Sequence, residues 1–245
     1  MELSHHLDRL IRKLGKRATL TETDEAALRG LPFETKAYDA GRYLVREGAQ
    51  TQACMLLLSG FAYRHKLSAE GERQIVSVHV PGDFIDLQGA LLDVSDHNVQ
   101  LLTRSEIAMF PIRAILDIID TRRFVARALW VETLVESSMH REWVLNVGRR
   151  PAPQRIGHLL CEIACRLEFV GLGTTGGYQL PMTQEQLADC TGLTSVHVNR
   201  TLKQLDADGY IHRHKRFIEI PDWERLSEMS GFSALYLHHE HTAPA

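Results

Sequence analysis

The chain has 245 residues, 44% of them hydrophobic and 24% charged, with a formal net charge of −3. That length allows two domains with separate cores, and the mild acidity excludes a globally basic nucleic-acid binder, so any DNA-binding charge has to be local. Four scattered cysteines (Cys54, Cys161, Cys165, Cys190) exclude a disulfide framework and fit a reducing cytoplasm. Residues 1–20 lack a signal-peptide core, and no apolar run is long enough to span a bilayer, so the expected location is cytoplasmic.

Residues 3–14 place Leu7, Leu10, Ile11 and Leu14 at helical spacing, and residues 23–28 read as a second short helix opened by a Thr or Asp cap. From Lys36 the period changes to two. Strand-like runs occur at 43–45, 54–58, 61–67, 74–80 and 99–102, separated by turn signals at Gly48, Gly60, Gly71 and Pro81-Gly82-Asp83. Short strands at this spacing predict an all-β barrel or jelly roll.

Helical text begins at Pro111, and Asp120 or Thr121 can cap a long helix reaching about Val147. Phe124, Ala128, Val131, Val135 and Ser138 recur at alternating fours and threes, the seam by which a helix pairs with a copy of itself. They are the expected dimer interface. Pro151 and Pro153 mark a hinge, followed by a helix at 154–167 with Ile156, Leu159, Leu160, Ile163 and Leu167 on one face.

Residues 183–205 carry the most information. Thr183 with Gln186 has a capping-box pattern, Leu187 and Ala188 face inward, Gly192 suits a left-handed turn, and Leu193 follows as a buried residue. Thr194 caps a second helix whose apolar stripe is Val198, Leu202 and Leu205. Ser195, Val196, Asn199, Arg200 and Lys203 remain outside. This is the layout of a helix-turn-helix, whose second helix enters the major groove. Arg200 can present two donors to guanine, Asn199 suits a base or a phosphate, and Lys203 suits the DNA backbone. Residues 210–220 then alternate as a hairpin with Arg213, Lys215 and Arg216 at its tip, the pattern of a wing. Between Thr194 and Ile218 five Lys or Arg stand against two acids, which is the local basic patch required.

With Leu56-Leu-Leu-Ser-Gly-Phe, Val80-Pro-Gly-Asp-Phe-Ile, the long central helix and Leu193-Thr-Ser-Val-His-Val-Asn-Arg-Thr-Leu, the chain resembles the Crp/Fnr family of bacterial transcription regulators over nearly its whole length. The resemblance implies an α+β chain: an N-terminal β-roll (double-stranded jelly-roll) sensor domain, a long central dimerisation helix and a C-terminal winged helix-turn-helix domain. The corresponding ranges are 1–29 for N-terminal helices, 30–118, 119–147 and 148–245. A homodimer would read palindromic double-stranded DNA and, as an activator, would meet RNA polymerase. Family base-reading positions fall on Ser195, Val196, Asn199 and Arg200. Backbone contacts are expected from Thr183, Thr194, His197, Lys203, Arg213, Lys215 and Arg216. Best-known members carry glutamate at the Val196 position; valine cannot accept from cytosine N4 but can touch a thymine methyl.

The effector end departs from the family pattern. Asp86-Leu87 and His97-Asn98 stand where cyclic-nucleotide members grip the phosphate, and residues 82–103 hold four aspartates with no Lys or Arg. Cyclic AMP bound in the family mode is therefore not expected. The first cysteine is Cys54, so an N-terminal iron–sulfur cluster is not expected either, and the effector stays unknown.

His158, Cys161 and Cys165 share a helix face and would suit zinc or an oxidant sensor, but packing is the favoured reading, as it is for Cys190. His65, His79 and His97 could ligate metal or haem but are expected to be solvated or hydrogen-bonded, and the tail histidines (His238, His239, His241) could bind metal weakly but are expected to belong to a frayed end. No metal site and no catalytic residue is assigned. The competing functions are a metal-dependent jelly-roll enzyme and a stand-alone small-molecule sensor. The His-x-His pair His212 and His214 lies in the wing, and the basic wing argues against a sensor alone.

Overall fold

The computed structural model describes residues 7–239, so the expected helical text at 3–6 and the tail at 240–245 lie outside the described residues. The chain divides into two compact units. One gathers the residues up to Lys66 with Ser77–Glu136, and the other gathers Leu67–Val76 with Ser137–His239.

In the first unit, α1 (Asp8–Gly15) buries Leu10, Ile11 and Leu14. Helix α2 (Glu22–Arg29) starts at Thr21, because Thr21 and Asp24 cap each other's backbone N–H groups in a capping box. Seven strands follow in chain order: β1 (Glu34–Tyr38), β2 (Tyr43–Val45), β3 (Ala53–Ser59), β4 (Ala62–Leu67), β5 (Arg73–His79), β6 (Asn98–Leu101) and β7 (Ser105–Pro111), with Leu67 of β4 and Arg73–Val76 of β5 counted in the second unit. They form two sheets, β1-β7-β3 and β2-β6-β4-β5. The run Cys54–Leu58 is apolar throughout because β3 is covered on both faces. Cys54, Leu56 and Leu58 pack with α1 and with Phe110, whereas Met55 and Leu57 pack with Val99, Leu101 and Ile107. Strand β7, central in its sheet, is absent from the runs legible in the sequence. Only Ile107 in it is β-branched, and no Gly or Pro separates it from β6.

The turn after β5 is stitched to β3. Gly82 N–H donates to Leu57 O (2.8 Å), Leu57 N–H to Asp83 O (3.0 Å) and Ile85 N–H to Met55 O (2.8 Å). Asp83 accepts from Val80 N–H (2.9 Å) and pairs with Lys13 (2.7 Å), which also pairs with Glu132. Arg17 Nε reaches the other Glu132 oxygen at 2.9 Å. At Gly60 (φ +81°) a Cβ would lie 2.1 Å from Ser105 Oγ and 2.6 Å from Arg104 O, so the close approach of the β3–β4 turn to the start of β7 requires glycine.

The helical text from Pro111 is two helices, α3 (Ile112–Thr121) and α4 (Arg123–Arg149), separated at Arg122, so Asp120 and Thr121 end one helix rather than cap the next. The residues of the expected seam on α4 differ in exposure within the single chain. Ala128, Val135 and Ser138 are buried within their own chain, with Phe124 and Val131 half-buried. One residue earlier, Arg123, Arg127, Trp130, Leu134, Ser137, Arg141 and Val144 are all exposed, at alternating fours and threes. Trp130, Leu134 and Val144 keep 68%, 54% and 74% of their surface open.

The second unit contains α5 (Ala152–Phe169), β8 (Gly177–Gln179), α6 (Gln184–Thr191), α7 (Ser195–Ala207), β9 (His212–His214), β10 (Phe217–Glu219) and α8 (Trp223–Ser230). Pro151 precedes α5 and Pro153 sits in its first turn, where a missing N–H costs nothing. The expected stripe of α5 is buried from Ile156 to Leu167. Trp143 Nε1 donates to both Glu162 oxygens (3.1 and 3.0 Å) and Tyr236 OH donates to one at 2.8 Å, joining the end of α4 to α5 and the C-terminal segment.

Burial alone would raise the Glu132 carboxyl above its ordinary 4.5, but Lys13 and Arg17 outweigh this and hold it below. Glu132→Ala should cost about 3 kcal/mol in urea unfolding at neutral pH, because two buried cations lose their shared partner. The depressed folded value means that Glu132 stabilises fully above the unfolded value and loses that effect as pH falls through the folded one. The stability gap between wild type and Glu132→Gln should therefore narrow as pH drops below 4.5.

Candidate nucleic-acid interface

Local chemistry defines both helices of the reading element. Thr183 Oγ1 accepts from Gln186 N–H (3.2 Å), and Gln186 Oε1 accepts from Thr183 N–H (2.9 Å). Gly192 ends α6 in the left-handed region (φ 62°, ψ 38°), and a Cβ there would sit 3.1 Å from Val147. Thr194 Oγ1 accepts from His197 N–H (3.2 Å) and opens α7. Leu187, Ala188, Val198, Leu202 and Leu205 are buried, and Leu193 is half-buried rather than sealed.

The outward side of α7 is as expected from its periodicity. Ser195, Val196, Arg200 and Lys203 are exposed, with Asn199 and His197 half-buried. Val196 leaves 78% of its surface in water. Ser195, Val196, Asn199, Arg200, Lys203 and Gln184 line one groove of about 450 Å³. Gln184 is absent from the sequence-derived residues. At the first position of α6 it looks like an ordinary surface residue, and only the fold brings it to α7.

The wing is the β9–β10 hairpin, joined by β8 into a third sheet of order β8-β10-β9. Strand β8 is not legible as a strand. It is three residues long, and Tyr178 OH pins it to Leu160 O of α5 at 2.9 Å. Lys215 and Arg216 are exposed at the tip and Arg213 is half-buried. Lys215 takes φ +60°, a conformation that costs a non-glycine residue about 1 kcal/mol. His212 and His214 lie 3.5 Å from Asp206 and Glu219 and do not converge on a shared site.

In the first unit, Asp86 and His97 lie together. Asp86 is fully buried, and Thr51 Oγ1 donates to its Oδ2 at 2.8 Å. Its Oδ1 has no hydrogen-bond partner and lies 4.0 Å from His97 Nε2. His97 Nδ1 is 2.8 Å from Asp96. Arg64 is committed to Glu136 and to Ile85 O. A buried carboxylate with a free acceptor oxygen repels a phosphate, so these residues do not fit a cyclic nucleotide held by its phosphate.

The other candidate groups are enclosed by the fold. His65, His79 and His97 are buried, and His97 meets the hydrogen-bonded expectation through Asp96. Burial, with Arg150 nearby, pushes His158 down to about 3, so it stays neutral. All four cysteines are buried and free. Burial pushes Cys54, Cys161 and Cys165 up to about 12 and Cys190 well above its ordinary value. Among the described residues no three His, Cys, Asp or Glu side chains converge as metal ligands, and no helix is long and apolar enough to cross a membrane.

Residues 35–122 match the cyclic nucleotide-binding domain and residues 154–229 match the Crp-like helix-turn-helix domain. The transcriptional activator protein FnrL of Cereibacter sphaeroides is 30% identical over 200 residues, covering 80% of each chain. The chain belongs to the Crp/Fnr family. The nitrogen fixation regulation protein FixK of Rhizobium meliloti is 28% identical over 203 residues, covering 81% of this chain and 88% of that one. The solved structure of FixK2 from Bradyrhizobium japonicum shares the fold, with a TM-score of 0.74 and 24% identity, over 88% of this chain and all of that one. Like these Crp/Fnr relatives, the chain is a DNA-binding transcription regulator and not an enzyme, which removes the jelly-roll enzyme reading.

Two substitutions separate base reading from charge. Arg200→Ala should lose about 1–3 kcal/mol on the cognate site and relax base choice at one position, measured by titration on a panel of sites. Lys215→Ala should weaken binding to all sequences alike and reduce the slope of log affinity against log salt by about one.

Proposed function

We propose that this Crp/Fnr regulator acts in the cytoplasm as a homodimer reading a palindromic operator, with α7 of each copy in one major-groove half-site about one helical turn from the other. In this reading residues 30–118 sense the signal, 119–147 form the dimer helix and 148–245 read DNA. Ser195, Val196, Asn199 and Arg200 face base edges. Thr183, Thr194, His197, Lys203, Arg213, Lys215 and Arg216 face the backbone. RNA polymerase is the partner when the bound protein activates.

The observation that carries the dimer is the open stripe of α4. Trp130, Leu134 and Val144, at 68%, 54% and 74% exposure, are far more apolar surface than a solvated helix face usually shows. They recur at the spacing of a self-pairing helix, flanked by Arg127 and Arg141. The buried Asp86 argues for an effector other than a phosphate held in the family manner. The buried, protonated thiols argue against direct cysteine oxidation as the signal.

Sedimentation of the wild type at micromolar concentration should show a dimer. The double substitution Trp130→Glu and Leu134→Glu should give a folded monomer whose operator affinity falls at least tenfold while single half-site binding persists. A wild-type monomer under these conditions refutes the dimer.

A further inference from the structure

Gln184 is the first residue of α6, and Asn199 lies in the second turn of α7. Asn199 Nδ2 donates to Gln184 Oε1 at 2.9 Å. A primary amide has an acceptor oxygen on one side and a two-hydrogen donor on the other, and the two cannot exchange places without rotating the group. With Nδ2 turned toward Gln184, Asn199 presents Oδ1 away from α6 and keeps one Nδ2 hydrogen free. Both side chains line the groove that also holds Ser195, Val196, Arg200 and Lys203.

An outward Oδ1 selects a base edge that donates. In the major groove the donors are the amino groups of adenine and cytosine, and adenine adds an N7 acceptor beside its N6 amino group. The remaining Nδ2 hydrogen complements that N7, so both free functions of Asn199 are satisfied on adenine. Guanine offers two acceptors along the same edge and leaves Oδ1 facing another acceptor, an unpaired contact in a desolvated interface.

We infer that Gln184 is a specificity-determining residue: it fixes the Asn199 amide so that Asn199 selects adenine in the half-site. The inference rests on α7 being the reading helix. Gln184 acts through Asn199 and is a positioning residue, which separates it from a residue that simply touches phosphate.

The test is selection of bound duplexes from a random pool by the full chain, followed by affinity measurements on the selected site and its single-base variants. Wild type should select a guanine that depends on Arg200 and an adenine that does not. Gln184→Ala should keep the guanine and lose about tenfold in discrimination for the adenine, with nonspecific affinity unchanged. Gln184→Lys places a donor-only group against Asn199, turns the amide over, and should move the preference from adenine to a base with acceptors at that edge. Thermal unfolding checks that each variant is folded. A uniform loss over all sequences with the adenine preference intact assigns Gln184 to the phosphate backbone and overturns the inference. An unchanged profile in both variants overturns it as well. Loss of the Arg200-dependent guanine from the wild-type pool would instead remove the reading of α7, and this inference with it.

Discussion

Lys13 is almost sealed from water, and two carboxylates share its charge. Asp83 belongs to the turn after β5 and Glu132 to α4, so one ammonium ties a sheet turn to a helix. Arg64 repeats the device, binding Ile85 O in the same turn and Glu136 on α4. Glu132 and Glu136 are four residues apart and therefore share a helix face. Two cations thus clamp residues 83–85 onto successive turns of α4. Removing an ion from water is expensive, and an arrangement of this kind persists only while each partner stays in place. The register between turn and helix is fixed by charge pairing as well as by packing.

That clamp reaches the segment that carries Asp86. Asp86, with its unsatisfied Oδ1, is one residue beyond Ile85, whose carbonyl Arg64 holds. A molecule that engaged Asp86 would act on the segment whose neighbours are fastened to α4. It would have to bring a hydrogen-bond donor or a positive group, since the site already has an excess of acceptors.

Much of this was legible in residue order, and the exceptions have physical causes. Thr183, Gln186, Gly192 and Thr194 define α6 and α7 through hydrogen bonds within four residues, so the reading element could be placed from the chain alone. Which face of α4 stays open could not be read to the residue. A long helix with two apolar faces shows one periodicity, and only packing reveals that Ala128 and Val135 face inward while Trp130 and Leu134 do not. Strand β7 lacked a glycine or proline boundary before it. Gln184 carried no local signal because its contact is with Asn199, fifteen residues away and on another helix. His65, His79 and His97 are scattered in sequence, and nothing in that spacing indicated that all three are enclosed.

The valine at the head of α7 has a consequence for which DNA chemistry the surface can sense. Val196 offers no donor and no acceptor, only methyl groups held open to water. In the proposed docking it responds to one substituent, the methyl on carbon 5 of a pyrimidine. Uracil in place of thymine removes that substituent without altering base pairing, and methylated cytosine supplies it on a different base. In that docking the contact would respond to covalent marking of the operator as well as to its sequence.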